Sequence, residues 1–360
     1  MISIEMILFI HKYIRKMTEI VIGKRRTLSD ITENVVTVNA FSVLKKEQLR
    51  VRDLMYDIMD HKKPRSEMKD LKFGTYEWCD ETYNIQLTKM CCKYMCLYCY
   101  ARNGALCHNR EQKLEEKSIC DEKKVNKKWP SVYDSDGKEV RKRKVVMCFS
   151  VHDTYPENVE SAVNVFEKIM NAGHCVLMVS KPNLSCIKYI CEKLAKYTKP
   201  QVLDSSESKV TTGYLQFRFT MGTEDEKLMS VWEPSAPKLG ERIASLRYAY
   251  EKGFITSISM EPLLSEPYKL IEMVGPYVRD SIWIGDMNFT SIRHLDVELR
   301  SRYHSLKMND IEDIALQTLQ KTNCNLIEIV TNLRKSKYAE LIHWKESVVT
   351  LICLKCGQSS

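Results

Sequence analysis

Between Val145 and Ile284 the chain alternates short apolar runs with stretches of helical spacing, and this pattern restricts the fold more than any other feature. Val145–Ser150 and Cys175–Ser180 read as buried strands, Tyr214–Thr220 as a strand with strict alternation, and Ile255–Met260 and Ser281–Ile284 as two more. Between them, Val159, Ala162, Val163, Phe166, Ile169 and Met170 recur at helical spacing, with Pro156 just ahead and Gly173 as the stop. Ile187, Ile190, Cys191 and Leu194 mark a second helix, and Pro237 opens a third that Gly253 closes. With the alternating stretch Tyr83–Leu87 as the first strand, the count is six. Strand–helix alternation predicts an α/β fold with parallel pairing and right-handed crossovers. Parallel barrels build their sites where the strands end, on the carboxyl side.

The chain has 360 residues, 44% of them hydrophobic, which suits one large domain with additions. Residues 1–80 read as an amino-terminal helical extension, with a packing helix at 45–60. Residues 81–290 hold the barrel and residues 291–360 a helical tail, with a helix at 311–319 capped by Asn309 or Asp310. A charged insertion, 103–144, carries twelve Lys/Arg against eight Asp/Glu and so supplies half of the net charge of +8. Asp134-Ser135-Asp136-Gly137 within it is a turn signal. Its basic run Arg141-Lys142-Arg143-Lys144 reads as a solvated loop or as a phosphate contact near the barrel mouth. The apolar run Ile2–Ile10 is short, contains Glu5 and has its positive charges after it, unlike a secretory signal, and Met17 is an alternative start. No stretch reaches the ~18 uncharged apolar residues expected of a membrane span. Fourteen cysteines in so long a chain point to a reducing cytoplasm rather than a disulfide framework.

Three of those cysteines, Cys92, Cys96 and Cys99, stand at the spacing C-x3-C-x2-C, just after the first strand. Soft thiolates suit iron–sulfur clusters or zinc. A structural zinc usually takes four ligands as two separated pairs. Three on one short loop instead leave one iron of a four-iron cluster without a protein ligand, open to a chelating substrate. Buried cysteines acting as small hydrophobes are the plainer alternative. Cys79 is a spare-ligand candidate, Cys107, His108 and Cys120 match no metal template, and Cys353-Leu354-Lys355-Cys356 is half of a zinc or cluster site.

With an aromatic residue before its last cysteine, this loop resembles that of radical S-adenosylmethionine (SAM) enzymes. Tyr98-Cys99-Tyr100-Ala101-Arg102 resembles the branch that includes spore photoproduct lyase. Glu233-Pro234-Ser235-Ala236-Pro237 followed by Arg242 is similar to a second segment of that branch. The resemblance implies a partial (β/α)6 TIM-like barrel, a 4Fe–4S cluster on Cys92, Cys96 and Cys99, and SAM chelated to the open iron. It further implies an electron donor such as flavodoxin or ferredoxin. Lys181, at the end of the third strand, is the cation expected to meet the SAM carboxylate. Ser150 and Thr220 are expected to bond its amino-acid part or ribose, and the backbone at Tyr98 to face adenine. Glu233 and Arg242 are expected to pair and brace the barrel mouth. Cys148 is a candidate hydrogen-atom donor or a packed strand cysteine, and His152 with Asp153 a candidate for proton transfer or substrate contact.

The substrate is unknown from sequence. One reading is a radical SAM enzyme of this branch, a second a pyrimidine-dimer lyase acting on DNA, a third a non-enzymatic iron–sulfur or zinc-binding interaction protein. The mild basic charge permits nucleic acid, though no nucleic-acid module is readable.

Overall fold

The computed structural model describes residues 40–70, 77–86, 92–101, 120–199, 202–205, 208–287 and 325–356. In chain order these form α1 (Ala40–Met59), β1 (Glu81–Thr82), α2 (Glu122–Val125), β2 (Val145–Cys148), α3 (Val159–Asn171), β3 (Cys175–Ser180) and α4 (Leu184–Lys193). There follow β4 (Val202–Ser205), β5 (Ser208–Thr211), β6 (Leu215–Thr220), α5 (Glu226–Trp232), α6 (Leu239–Glu251), β7 (Ile255–Met260) and α7 (Tyr268–Val274). The last elements are β8 (Ile282–Ile284), α8 (Leu326–Arg334), β9 (Ile342–Trp344) and α9 (Glu346–Cys356).

Seven strands pair in parallel in the order β1-β2-β3-β6-β7-β8-β9, and the sheet curls into a half-barrel, as the alternation requires. The β4–β5 pair is a separate antiparallel hairpin. Alternation along each strand sorts side chains between two faces. Val146, Met178, Phe217, Ile258, Ile284 and Trp344 join the helices in one continuous core. Val145, Met147, Cys175, Leu177 and Tyr214 pack together on the concave face, with Trp78. Gly173 ends α3 with φ +90, and a Cβ there would stand 2.9 Å from Val132 Cβ, so conformation and space both require glycine.

Three expectations change. The first strand is Glu81–Thr82, not Tyr83–Leu87: past Tyr83, whose amide still bonds Met147 O at 2.9 Å, the chain leaves β2. The carboxyl-terminal region is not wholly helical, because β9 adds a seventh strand beside β8. The basic run lies at the amino edge of β2, opposite the carboxyl mouth, with Arg141, Lys142 and Lys144 exposed as the solvated-loop reading expects. Lys142 pairs with Asp80 and Lys144 with Glu81, each at 3.0 Å, while Arg143 bonds the Tyr133 hydroxyl at 2.7 Å. It is therefore no phosphate contact at the mouth.

The Asp134 turn forms, with Gly137 N bonding Asp134 O at 3.1 Å. Cys353 and Cys356 lie on α9, and Cys353 is buried in the helical core. The helix expected at 311–319 with its cap, and Cys107 and His108, lie outside the described residues. No helix among the described residues is long and apolar enough to cross a membrane.

Candidate functional site

The cysteine loop is folded by its own backbone and pinned by one neighbour. Met95 N bonds Cys92 O at 3.2 Å and Cys99 N bonds Cys96 O at 3.1 Å, which curls the loop twice. Met95 accepts the left-handed conformation, φ 52, to make the first curl. Leu97 N then bonds Trp232 O at 2.9 Å, tying the loop to the end of α5. Cys92, Cys96 and Cys99 share one packed cluster with Tyr94, Tyr98, Tyr155 and Ala236, and no other cysteine among the described residues joins it.

Among the described residues no three His, Cys, Asp or Glu side chains converge as a single metal ion needs. A four-iron cluster makes no such demand, since each thiolate binds a different iron. Three thiols on one curled loop, with no fourth beside them among the described residues, fit that donor set. Burial pushes the Cys96 thiol up to about 12, against the pull of nearby Lys181, and burial together with Asp153 raises Cys92 as well. Loading the site therefore means displacing protons from the thiols.

Around the loop the polar groups form one connected chain. Asp153, just beyond β2, is its hub: Oδ1 accepts from Lys181 N at 2.6 Å and from Ser180 Oγ at 2.9 Å, and Oδ2 stands 3.7 Å from Cys92 Sγ. Lys181 is 8% exposed, with Nζ 3.8 Å from Asp153 Oδ2 and 5.5 Å from the Tyr98 ring centre. Burial alone would lower the Lys181 pKa, but Asp153, Cys96, Tyr98 and Glu233 outweigh it and hold the ammonium charged. On the other side, the Tyr98 hydroxyl donates to Glu233 Oε1, and Glu233 Oε2 accepts from Arg242.

The helix ends explain that junction. Glu233 caps the carboxyl end of α5, which Pro234 stops, and Arg242 lies in the first turn of α6. From there Arg242 Nε bonds Pro237 O at 2.7 Å and Nη1 bonds Thr220 O at 3.1 Å. One guanidinium thus fixes the end of β6, the intervening turn and the carboxylate that holds the cysteine loop through Tyr98.

Ser150 is held from a direction that sequence reasoning missed. Asn84 Oδ1 accepts from the amides of Ser150 at 2.8 Å and Val151 at 2.9 Å, while its Nδ2 donates to Ser150 Oγ at 2.8 Å. The Tyr100 hydroxyl donates to Ser150 O, which joins the loop after β2 to the cysteine loop. Asn84 sits in a stretch that reads as strand from sequence, which hides its role.

Structure therefore gathers Cys92, Cys96, Cys99, Tyr98, Ser150, Lys181, Thr220, Glu233 and Arg242 at the carboxyl ends of β1, β2, β3 and β6. Two expected residues are not gathered there. Cys148 is fully buried in the core shared with the helices, on the face away from the concave side. His152 is 5% exposed and stacks on Phe149 at 4.2 Å. Its Nε2 accepts from the amides of Ile85 at 3.2 Å and Gln86 at 3.3 Å, so the ring proton is on Nδ1, which donates to Asp153 O at 3.0 Å. Burial lowers its pKa to about 4. Both ring nitrogens are spent on main chain, which makes His152 a brace.

No family model matches the chain, and none of the curated proteins does. Several solved structures overlap it. SuiB from Streptococcus suis bound to S-adenosylmethionine matches with TM-score 0.39 and 13% identity over 66% of this chain and 50% of that one. SuiB bound to its precursor peptide SuiA matches with TM-score 0.37 and 14% identity over 82% and 58%. A double mutant of spore photoproduct lyase with bound AdoMet and dinucleoside spore photoproduct matches with TM-score 0.38 and 13% identity over 86% and 91%. The chain thus spans between half and three fifths of the length of these SuiB chains.

Proposed function

We propose that this chain is a radical SAM enzyme. The observation that carries the reading is local: Cys92, Cys96 and Cys99 share one packed cluster, beside a buried lysine at the end of β3. Cys92, Cys96 and Cys99 would hold a 4Fe–4S cluster and leave one iron for the amine and carboxylate of SAM. Lys181 would receive that carboxylate, its ammonium kept charged by Asp153 and aimed by the Tyr98 ring. Ser150 and Thr220 line the ends of β2 and β6, where the ribose or the amino-acid part would lie. When bound, cluster and SAM together supply one-electron cleavage of a sulfonium and removal of a hydrogen atom from a substrate.

The chain's own contribution is orientation and exclusion of water. Tyr94, Tyr98 and Tyr155 wall the loop, and Arg242 with Glu233 fixes its outer side. Cys148 and His152 take no part in this scheme, one facing the helices and the other saturated by backbone. Electron delivery by flavodoxin or ferredoxin, and a cytoplasmic setting, belong to the same reading.

Anaerobic reconstitution with iron and sulfide tests it. The wild type should gain cluster absorbance and, with dithionite, release 5′-deoxyadenosine from SAM. Cys96→Ala should do neither. Lys181→Met should keep the cluster and bind SAM at least tenfold more weakly, the loss of about one charge-assisted contact. Zinc in place of iron, or adenosyl release unchanged in Cys96→Ala, would sink the proposal.

A further inference from the structure

The concave face beneath β6 to β9 carries charges that the cofactor site does not use. On β6, Leu215, Phe217 and Phe219 face the helices, so Gln216 and Arg218 turn inward. Arg218 is 3% exposed, and its guanidinium carbon lies 5.1 Å from the Trp283 ring centre and 6.0 Å from that of Trp78. Nε donates to Ser257 Oγ at 3.2 Å. Nη1 has no hydrogen-bond partner among the described residues. The acidic groups around it are Asp280, Glu261 and Glu77, with the Cys79 thiol, and among the described residues none forms an ion pair with it. Asp280 instead accepts from Gln216 at 3.0 Å and Ser281 at 2.6 Å.

A second cation stands one layer nearer the mouth. Lys345, just after β9, is 6% exposed; its Nζ donates to Ser259 Oγ at 3.1 Å, pairs with Glu261 and lies 4.9 Å from the Trp78 ring centre. Gly285 makes this possible, since a Cβ there would stand 2.9 Å from Glu261 Oε1 and 3.0 Å from Lys345 Cδ. Trp78 is only half-buried, so the arginine is covered by a side chain that reaches the surface.

A buried guanidinium that has Asp280, Glu261 and Glu77 around it but forms an ion pair with none of them among the described residues is costly to the fold that keeps it. Its donor fork matches a planar carboxylate. Two indole walls and a few inward polar groups at the strand ends of a parallel barrel are the usual make-up of a ligand site. A phosphodiester, with two ester arms, asks for an open groove instead. We propose that Arg218, supported by Lys345 between Trp78 and Trp283, is a subsite for a carboxylate group of the substrate. Only the word substrate rests on the radical SAM reading, because anion binding here needs neither cluster nor SAM.

Thermal melts of the full-length protein test this at constant ionic strength, with sodium acetate or glutarate against sodium chloride and sodium phosphate. At about tenfold above its Kd a carboxylate should raise the wild-type melting temperature by a few degrees over chloride. Arg218→Met should melt no lower than wild type in chloride and lose the carboxylate response; Arg218→Lys should keep part of it. The proposal is overturned if Arg218→Met melts well below wild type in chloride, if both respond equally, if neither responds, or if phosphate alone protects. Cluster content and adenosyl release are read on the same samples. A carboxylate response without a cluster removes the enzymatic reading alone, and a loaded, SAM-cleaving protein without the response removes this subsite alone.

Discussion

Two arginines are buried to nearly the same depth in this barrel and are treated in opposite ways. Arg242, near the cysteine loop, is wholly buried and spends its donors on Glu233, Thr220 O and Pro237 O. Burial alone would lower its pKa, but Glu233 reverses the shift. Arg218, on β6, keeps one nitrogen unmatched among the described residues, and burial lowers its pKa to about 10. The half around the cysteine loop is internally neutralised and braced, whereas the far half is left in electrostatic debt. Completed networks hold a shape; an unfinished one leaves a contact for something from outside.

Substitutions can break this contrast. Arg242→Met should cost about 3–5 kcal/mol of unfolding free energy in urea titrations, because Glu233 is left charged and buried. A loss below about 1 kcal/mol would remove the distinction between the two arginines. His152 belongs to the braced half and adds a pH signature. Its folded pKa of about 4 lies below the unfolded 6.5, so the unfolded chain binds the proton more readily. That stability is complete above pH ~6.5 and is lost as pH falls toward ~4, by about 3 kcal/mol in all. His152→Gln should flatten this part of the curve of stability against pH.

Smaller effects sharpen the picture. Tyr98→Phe removes one donor from Glu233 and should cost about 1–2 kcal/mol, with the cluster still bound. Arg218→Met, by contrast, should leave unfolding free energy unchanged or raise it by about 1 kcal/mol, since no ion pair is broken and a desolvated charge gives way to an apolar side chain. Equal losses at Arg218 and Arg242 would mean that both are struts.

The cysteine spacing, the strand–helix rhythm, Lys181 at a strand end and the Glu233–Arg242 segment were readable because each is a local pattern. β9 was not: Ile342-His343-Trp344 is three residues long, and only pairing with β8 makes it a strand. The alternation at Tyr83–Leu87 looked like strand, yet the amides of Ile85 and Gln86 go to a histidine side chain more than sixty residues on. Arg218 left a trace that was passed over. A parallel strand covered on both faces usually reads apolar throughout, so Gln216, Arg218 and Thr220 in alternate positions already marked a polar interior.

The late strand has a further consequence. Trp344 on β9 donates to the Tyr56 hydroxyl of α1 at 3.0 Å, and Arg334 holds Asp60 through bonds of 3.0 and 3.1 Å. These clasps join segments nearly three hundred positions apart, so they close only after a very large loop has been paid in lost chain freedom. Lys345 enters the barrel on the same closing segment. During synthesis the cysteine loop can curl long before this wall exists, and acid recognition should be the last property the nascent chain acquires.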